Sequence, residues 1–187
     1  IVRTEGGLGR IPVVGVSPVI EGGVYPVKAV EHERLLIQAN VFREGHDAVM
    51  ASVILTSPAG TQRRVDMTQV EPLGLDVWQA HIRMAELGDW IYRVEGWSDP
   101  WGTWVHHAEK KLPAGIDVDL VVMEGRDRLT LTADNADALG VTGAAALLLA
   151  TAQSVDAATP VDELLELIGS APIRRAMARF GPREHIS

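Results

Sequence analysis

The strongest constraint on how this chain can fold is a period-two alternation of apolar and polar residues between Ile11 and about Val122. In Arg34 to Phe42, Leu35, Ile37, Ala39 and Val41 share one face, while Leu36, Gln38, Asn40 and Phe42 fall on the other. Asp76 to Met84 repeats the device with Trp78, Ala80, Ile82 and Met84, and Asp89 to Trp97 repeats it with Trp90, Tyr92 and Val94. Ala85-Glu86-Leu87-Gly88 is the turn between these last two strands. Ala48 to Leu55 is a further apolar run, bounded by Gly45-His46-Asp47 and Ser57-Pro58-Ala59-Gly60. The second of these clusters predicts a hairpin turn, because Pro presets its φ and Gly takes conformers closed to other residues. Gln62 to Thr68 then reads as a polar edge strand, and Thr103 to His106 and Asp117 to Val122 read as the last two strands. About seven short strands, each with one apolar face, predict two sheets packed face to face. A closed barrel is the structural alternative.

After Glu124-Gly125, Ala, Leu, Asp and Glu dominate and the alternation fades. Val141 to Gln153 places Ala144, Leu147 and Leu148 at helical spacing. Thr159-Pro160 followed by Asp162 and Glu163 has the form of a helix start, with Thr as cap, Pro in the first turn and acids at the positive end of the dipole. Gly169 ends that helix, and another runs from Ala171-Pro172 to Phe180 before Gly181-Pro182. The expected organisation is a flexible tail over 1–10, an immunoglobulin-like β-sandwich over 11–124 and a helical segment over 125–187. The fold class is therefore mainly β with a helical C-terminal segment. The helices carry more apolar surface than the chain itself can obviously cover, which points to docking on another part of a larger protein.

Acidic residues outnumber Lys and Arg by 25 to 17, giving a net charge of −8. Such a surface repels nucleic acid and anionic membrane. With no cysteine there is no disulfide framework, thiolate metal site or cysteine nucleophile, which suits a cytoplasmic setting. The longest apolar run, Ala144 to Ala152, falls well short of the ~18 residues of a membrane span. The start, Ile1-Val2-Arg3-Thr4, lacks the order of a signal peptide and an initiator Met, as a processed or excised piece would.

Chemistry-bearing patterns are sparse. His106 and His107 are adjacent, and on a strand they would point to opposite faces, so they are read as surface histidines and not as metal ligands. Gly6-Gly7-Leu8-Gly9 follows no strand and lacks the Lys-Ser/Thr pair of a phosphate loop. No Gly-x-Ser-x-Gly elbow occurs, and Asp134, Asp137, Asp162 and Glu163 read as helix caps and solvated faces. No catalytic residue, cofactor or metal is assigned, and the chain by itself is not expected to be an enzyme.

All five tryptophans fall between Trp78 and Trp104. Trp97, Trp101 and Trp104 bracket the Ser98-Asp99-Pro100-Trp101-Gly102 segment. They suit either core and interface packing, where Trp is enriched, or a stacking platform for an α-glucan. Candidate glucan or interface contacts are Trp97, Asp99, Trp101, Trp104, Glu44 and His46.

Three segments share a family likeness. Pro18-Val19-Ile20-Glu21-Gly22-Gly23-Val24-Tyr25-Pro26-Val27-Lys28 is similar to the opening of bacterial α-1,4-glucan:maltose-1-phosphate maltosyltransferases. Val41-Phe42-Arg43-Glu44-Gly45-His46-Asp47 resembles a short Arg-acid-Gly-His segment of that family. Val94-Glu95-Gly96-Trp97-Ser98-Asp99-Pro100, with Thr103-Trp104 and Lys110-Lys111-Leu112-Pro113-Ala114-Gly115, is the third match. Glu163-Leu164-Leu165, Ile173-Arg174 and Arg179-Phe180-Gly181 match in character only. The resemblance implies an N-terminal sandwich, a helical segment and then an α-amylase-like catalytic barrel in the same polypeptide. It also implies a homodimer whose interface involves this region. The parent enzyme would extend α-1,4-glucan from maltose 1-phosphate with release of phosphate, its carboxylates lying on the barrel. The resulting expectation is a non-catalytic part that dimerises and positions the barrel. A glucan-binding module is the alternative, and an adhesion-like sandwich ranks last because it usually needs an export signal or disulfides.

Overall fold

The computed structural model describes residues 11–21, 26–30, 32–43, 48–70 and 75–187. The chain divides into two compact units. One holds the described residues up to Ser98 together with Glu184–Ser187, and the other is Asp99–Arg183.

The first unit has, among the described residues, seven strands. They are β1 (Val13–Ser17), β2 (Arg34–Val41), β3 (Val49–Thr56), β4 (Gln62–Asp66), β5 (Thr68–Gln69), β6 (Val77–Arg83) and β7 (Ile91–Ser98). They form a four-stranded sheet in the order β1-β2-β6-β5 and a three-stranded sheet in the order β4-β3-β7, all antiparallel. This is the expected immunoglobulin-like sandwich.

The alternation does the work assigned to it. Ile37, Ala39 and Val41 of β2, Ala51, Val53 and Leu55 of β3, and Trp78, Ala80 and Ile82 of β6 are buried together in the core. Each large aliphatic side chain of this kind contributes roughly 1.5–3 kcal/mol when taken out of water. Trp90, Tyr92 and Val94 line the same core from the β7 side.

The Ser57–Gly60 turn joins β3 to β4. The Ser57 amide donates to the Thr61 carbonyl at 2.9 Å, and Gly60 adopts φ +84°. The segment after β6 crosses from one sheet to the other, since β6 pairs with β2 and β7 with β3. Gly96 of β7 faces side chains of the other sheet with no room for one of its own. A Cβ there would stand 2.7 Å from Val41 Cγ1 and 3.1 Å from Ile11 Cγ2.

The second unit is helical throughout: α1 (Pro100–Lys111), α2 (Val118–Ala138), α3 (Thr142–Ser154), α4 (Val161–Gly169) and α5 (Ala171–Phe180). Two expected strands are thereby corrected. Thr103 to His106 lies inside α1, and Asp117 to Val122 leads into α2. Helices therefore begin at Pro100 and not near Gly125.

The reason is visible in the spacing. Val122, Gly125, Leu129, Thr132 and Ala136 are all buried at alternating steps of three and four, a helical stripe that a six-residue window reads as strand. The helices after residue 140 form as expected. One detail differs: the Thr159 hydroxyl donates to the Ser154 carbonyl at 3.1 Å, and Pro160 occupies the position before α4. The five helices share one core, with Leu129, Leu148, Ile168 and Ile173 at its centre.

Candidate functional site

The chain leaves the first unit between Ser98 and Asp99, in the middle of the aromatic segment. On the sandwich side, Trp97 is 3% exposed, and the Arg64 guanidinium stands 5.8 Å from its ring centre. Arg43 Nη1 donates to Ser98 Oγ at 2.7 Å, which fixes the end of β7.

On the helical side, Asp99 caps α1. Its Oδ1 accepts from the Gly102 amide at 3.0 Å, and Pro100 fills the first turn, where a missing amide costs nothing. Burial pushes the Asp99 carboxyl above the ordinary carboxylate range, while amide hydrogen bonds from Gly102 and Trp101 pull it back only in part.

Trp101 and Trp104 come one turn later. Their rings stack on each other, with centroids 4.7 Å apart and planes 30° apart. Trp104 Nε1 donates to the Val121 carbonyl at 3.1 Å, and both rings lie in the helical core. Trp101 Nε1 has no hydrogen-bond partner among the described residues. Gly125 on α2 makes room for the Trp104 ring.

Of the six candidate contacts, Trp97 lies near the end of β7 in the first unit, while Asp99, Trp101 and Trp104 lie at the cap and in the first turns of α1 in the second. Glu44 and His46 lie outside the described residues. The stacking platform expected of Trp97, Trp101 and Trp104 is not offered to solvent: the three rings are only 3%, 6% and 3% exposed. Trp78 is buried as well, with Nε1 donating to the Val41 carbonyl, and Trp90 donates to the Glu86 carbonyl. His106 and His107 sit on a helix with ring centres 6.3 Å apart. Among the described residues no group of three or more His, Asp or Glu is arranged to hold a metal ion. No described helix is long and apolar enough to cross a membrane.

The surface that does stand out was not assigned from sequence. Helix α3, Thr-Gly-Ala-Ala-Ala-Leu-Leu-Leu-Ala-Thr-Ala-Gln-Ser, carries no charged residue. Ala145, Leu148 and Ala152 face the core, yet Leu147 and Leu149 are 39% and 43% exposed. A helix that is apolar all round is normally covered on more than one side. Neighbouring α2 adds Leu120, Met123 and Leu131, each about half exposed. Gly140, with φ +74°, makes the turn between the two helices. The signal available in the sequence was the missing charge over Thr142–Ser154, which reads as core until the opposite face is seen. A shallow groove of about 360 Å³ on the same unit gathers Asp119, Asp127 and Asp156 around Arg126.

Comparison with known proteins places this geometry in context. Residues 9–187 match the family described as alpha-1,4-glucan:maltose-1-phosphate maltosyltransferase, domain N/S. A Streptomyces coelicolor protein named alpha-1,4-glucan:maltose-1-phosphate maltosyltransferase 2 is 41% identical over 182 residues, which is 97% of this chain and 27% of that one. The maltosyltransferase 1 of the same organism is 50% identical over 119 residues, covering 63% of this chain and 18% of that one. A Myxococcus xanthus protein of the same enzyme name is 31% identical over 183 residues, covering 92% and 28%. The chain therefore spans between 18% and 28% of the length of these relatives.

Proposed function

Because the chain belongs to the α-1,4-glucan:maltose-1-phosphate maltosyltransferase family, over its N/S domain, we propose that it is a non-catalytic scaffold that dimerises and positions the catalytic part of a longer polypeptide. That longer protein would extend α-1,4-glucan with maltosyl units from maltose 1-phosphate, release phosphate, and act in α-glucan synthesis in the cytoplasm. Its catalytic carboxylates would lie on an α-amylase-like barrel beyond this region.

The observation that carries the scaffold reading is the uncharged helix α3, with Leu147 and Leu149 exposed on two different sides of it, and with Leu131 of α2 exposed as well. Exposed apolar side chains gathered on an uncharged helix suit an interaction face. Interface centres are poor in charge, and so is this one. The partner is a second copy of the same chain, in the homodimer that the family likeness implies.

Two measurements test the reading. Incubation of the purified chain with maltose 1-phosphate should release no phosphate above a blank, and release would overturn the non-catalytic assignment. The self-association state tests the dimer directly and separates its failure from that of the first claim.

A further inference from the structure

The four strands of the β1-β2-β6-β5 sheet contain no Asp or Glu, in a chain with 25 acidic residues. Alternate residues of β2 and β6 fill the sandwich core, so the intervening ones form the outer face of this sheet. Three pairs stand directly opposite one another there: Arg34 with Arg83, Leu36 with His81, and Gln38 with Gln79. Arg34, His81 and Arg83 are exposed. Side chains opposed in this way have Cβ atoms about 4.5–5.5 Å apart, and like charges so placed destabilise the sheet. A carboxylate beside them would offset this. Arg34, His81 and Arg83 nevertheless have no ion pair and no side-chain hydrogen bond among the described residues. Glu33, next to Arg34 in the chain, directs Oε2 to the Val30 amide at 2.9 Å, and Asp66, just before β5, pairs with Arg64 at 3.2 Å. A third guanidinium is fixed at the same strand end, where Arg63 Nη2 donates to the Arg83 carbonyl at 3.2 Å.

We propose that this end of the outer face binds a sugar phosphate, with the phosphate between Arg34 and Arg83 and the sugar over Leu36 and His81. Guanidinium forks match phosphate oxygens, and a phosphate monoester carries nearly two charges at neutral pH, enough to offset both arginines. The absence of acid from all four strands leaves nothing there to repel it. Beyond the arginines the face is neutral and polar. The Leu36–His81 pair follows about 7 Å along the strands, and the Gln38–Gln79 pair about 14 Å along. A hexose phosphate held at the arginines therefore sets its ring over Leu36 and His81 and turns its far hydroxyls toward the two amides. All of these residues lie on paired strands of the first unit. The exposed leucines of α3 belong to the second, so this site and the scaffold reading stand or fall separately.

Titration of the 187-residue chain with glucose 1-phosphate at constant ionic strength, followed by amide chemical shifts, tests this. Saturable shifts are expected at Arg34, Leu36, Gln79, His81 and Arg83, and none with glucose. Arg34→Gln and Arg83→Gln remove exposed side chains, so the fold should persist while each weakens binding about tenfold or more. Arg174→Gln, at an exposed arginine of the second unit, should change nothing. Gln79→Ala should weaken glucose 1-phosphate binding and leave the weaker binding of inorganic phosphate as it was. Equal affinity for inorganic phosphate and glucose 1-phosphate would remove the sugar contacts and overturn the proposal. Shifts that survive in both arginine variants, or that arise equally around Arg174 and Arg175, would overturn it too, since they would report general screening of positive charge.

Discussion

The Trp104 indole occupies the space where a Cβ of Gly125 would stand, so the contact between α1 and α2 exists because position 125 has no side chain. Two opposing effects meet there. Gly→Ala inside a helix ordinarily gains roughly 0.5–1 kcal/mol, whereas forcing a methyl group into packed core costs roughly 1–3 kcal/mol. The clash falls on the rigid ring of a buried side chain, so the second effect wins. Gly125→Ala should lower stability by about 1–2 kcal/mol in urea unfolding monitored at the helical signal. Gly143→Ala on α3, where nothing lies within 4 Å, should be neutral or slightly stabilising. Equal effects at the two positions would contradict the packing described.

The sandwich has its own version of this contact. Gly96→Ala would place a methyl group 2.7 Å from Val41 Cγ1, between the two sheets. A loss of roughly 1–3 kcal/mol is expected, read from the thermal midpoint of the chain. An unchanged midpoint would mean that the sheets are further apart than described.

Asp99 makes a pH prediction whose sign is fixed by burial. Its carboxyl holds a proton to higher pH in the folded state than in the unfolded chain. The folded state therefore binds more protons between the two pKa values, and stability falls as pH rises through that window. Asp99→Asn keeps a capping oxygen and removes the charge. The variant's stability relative to wild type should thus rise as pH increases through and above the ordinary carboxylate value. Asp99→Ala loses the cap and should cost about 1 kcal/mol. Parallel pH–stability curves for wild type and D99N would refute this.

Buried tryptophans predict little response to sugar. Titration with maltoheptaose should give no saturable shift of tryptophan fluorescence, because Trp78, Trp97, Trp101 and Trp104 are each at most 6% exposed. A saturable shift with the α-glucan and not with a β-glucan control, abolished by Trp97→Ala, Trp101→Ala or Trp104→Ala, would restore the binding-module reading.

The sandwich was legible in the sequence because a period of two over Leu35 to Val41 or Trp78 to Ile82 admits few other structures. The helices after Gly140 were legible from their caps and from leucine and alanine spacing. α1 and α2 were not. Trp104-Val105-His106 and Val118 to Val122 are rich in β-branched and aromatic residues, whose strand preference is a local signal. Here tertiary packing overrode it: Trp101, Trp104 and Ala108 repay their helical cost only against Val121, Gly125 and their neighbours on α2. The return of Glu184–Ser187 to β7 is a contact across the whole helical unit, and no window of sequence contains both partners. The outer face of α3 was hidden for the opposite reason. Its composition is that of a core helix, and only the fold shows which side the rest of the unit leaves open.

The central claim is that this open face joins two copies of the chain, and sedimentation equilibrium over a range of micromolar concentrations tests it most directly. The account predicts a mass approaching twice 20.2 kDa, returning to 20.2 kDa when Leu149 is replaced by Asp with the helical signal intact. A mass of 20.2 kDa at every concentration, or a dimer that survives L149D and L147D alike, would contradict it.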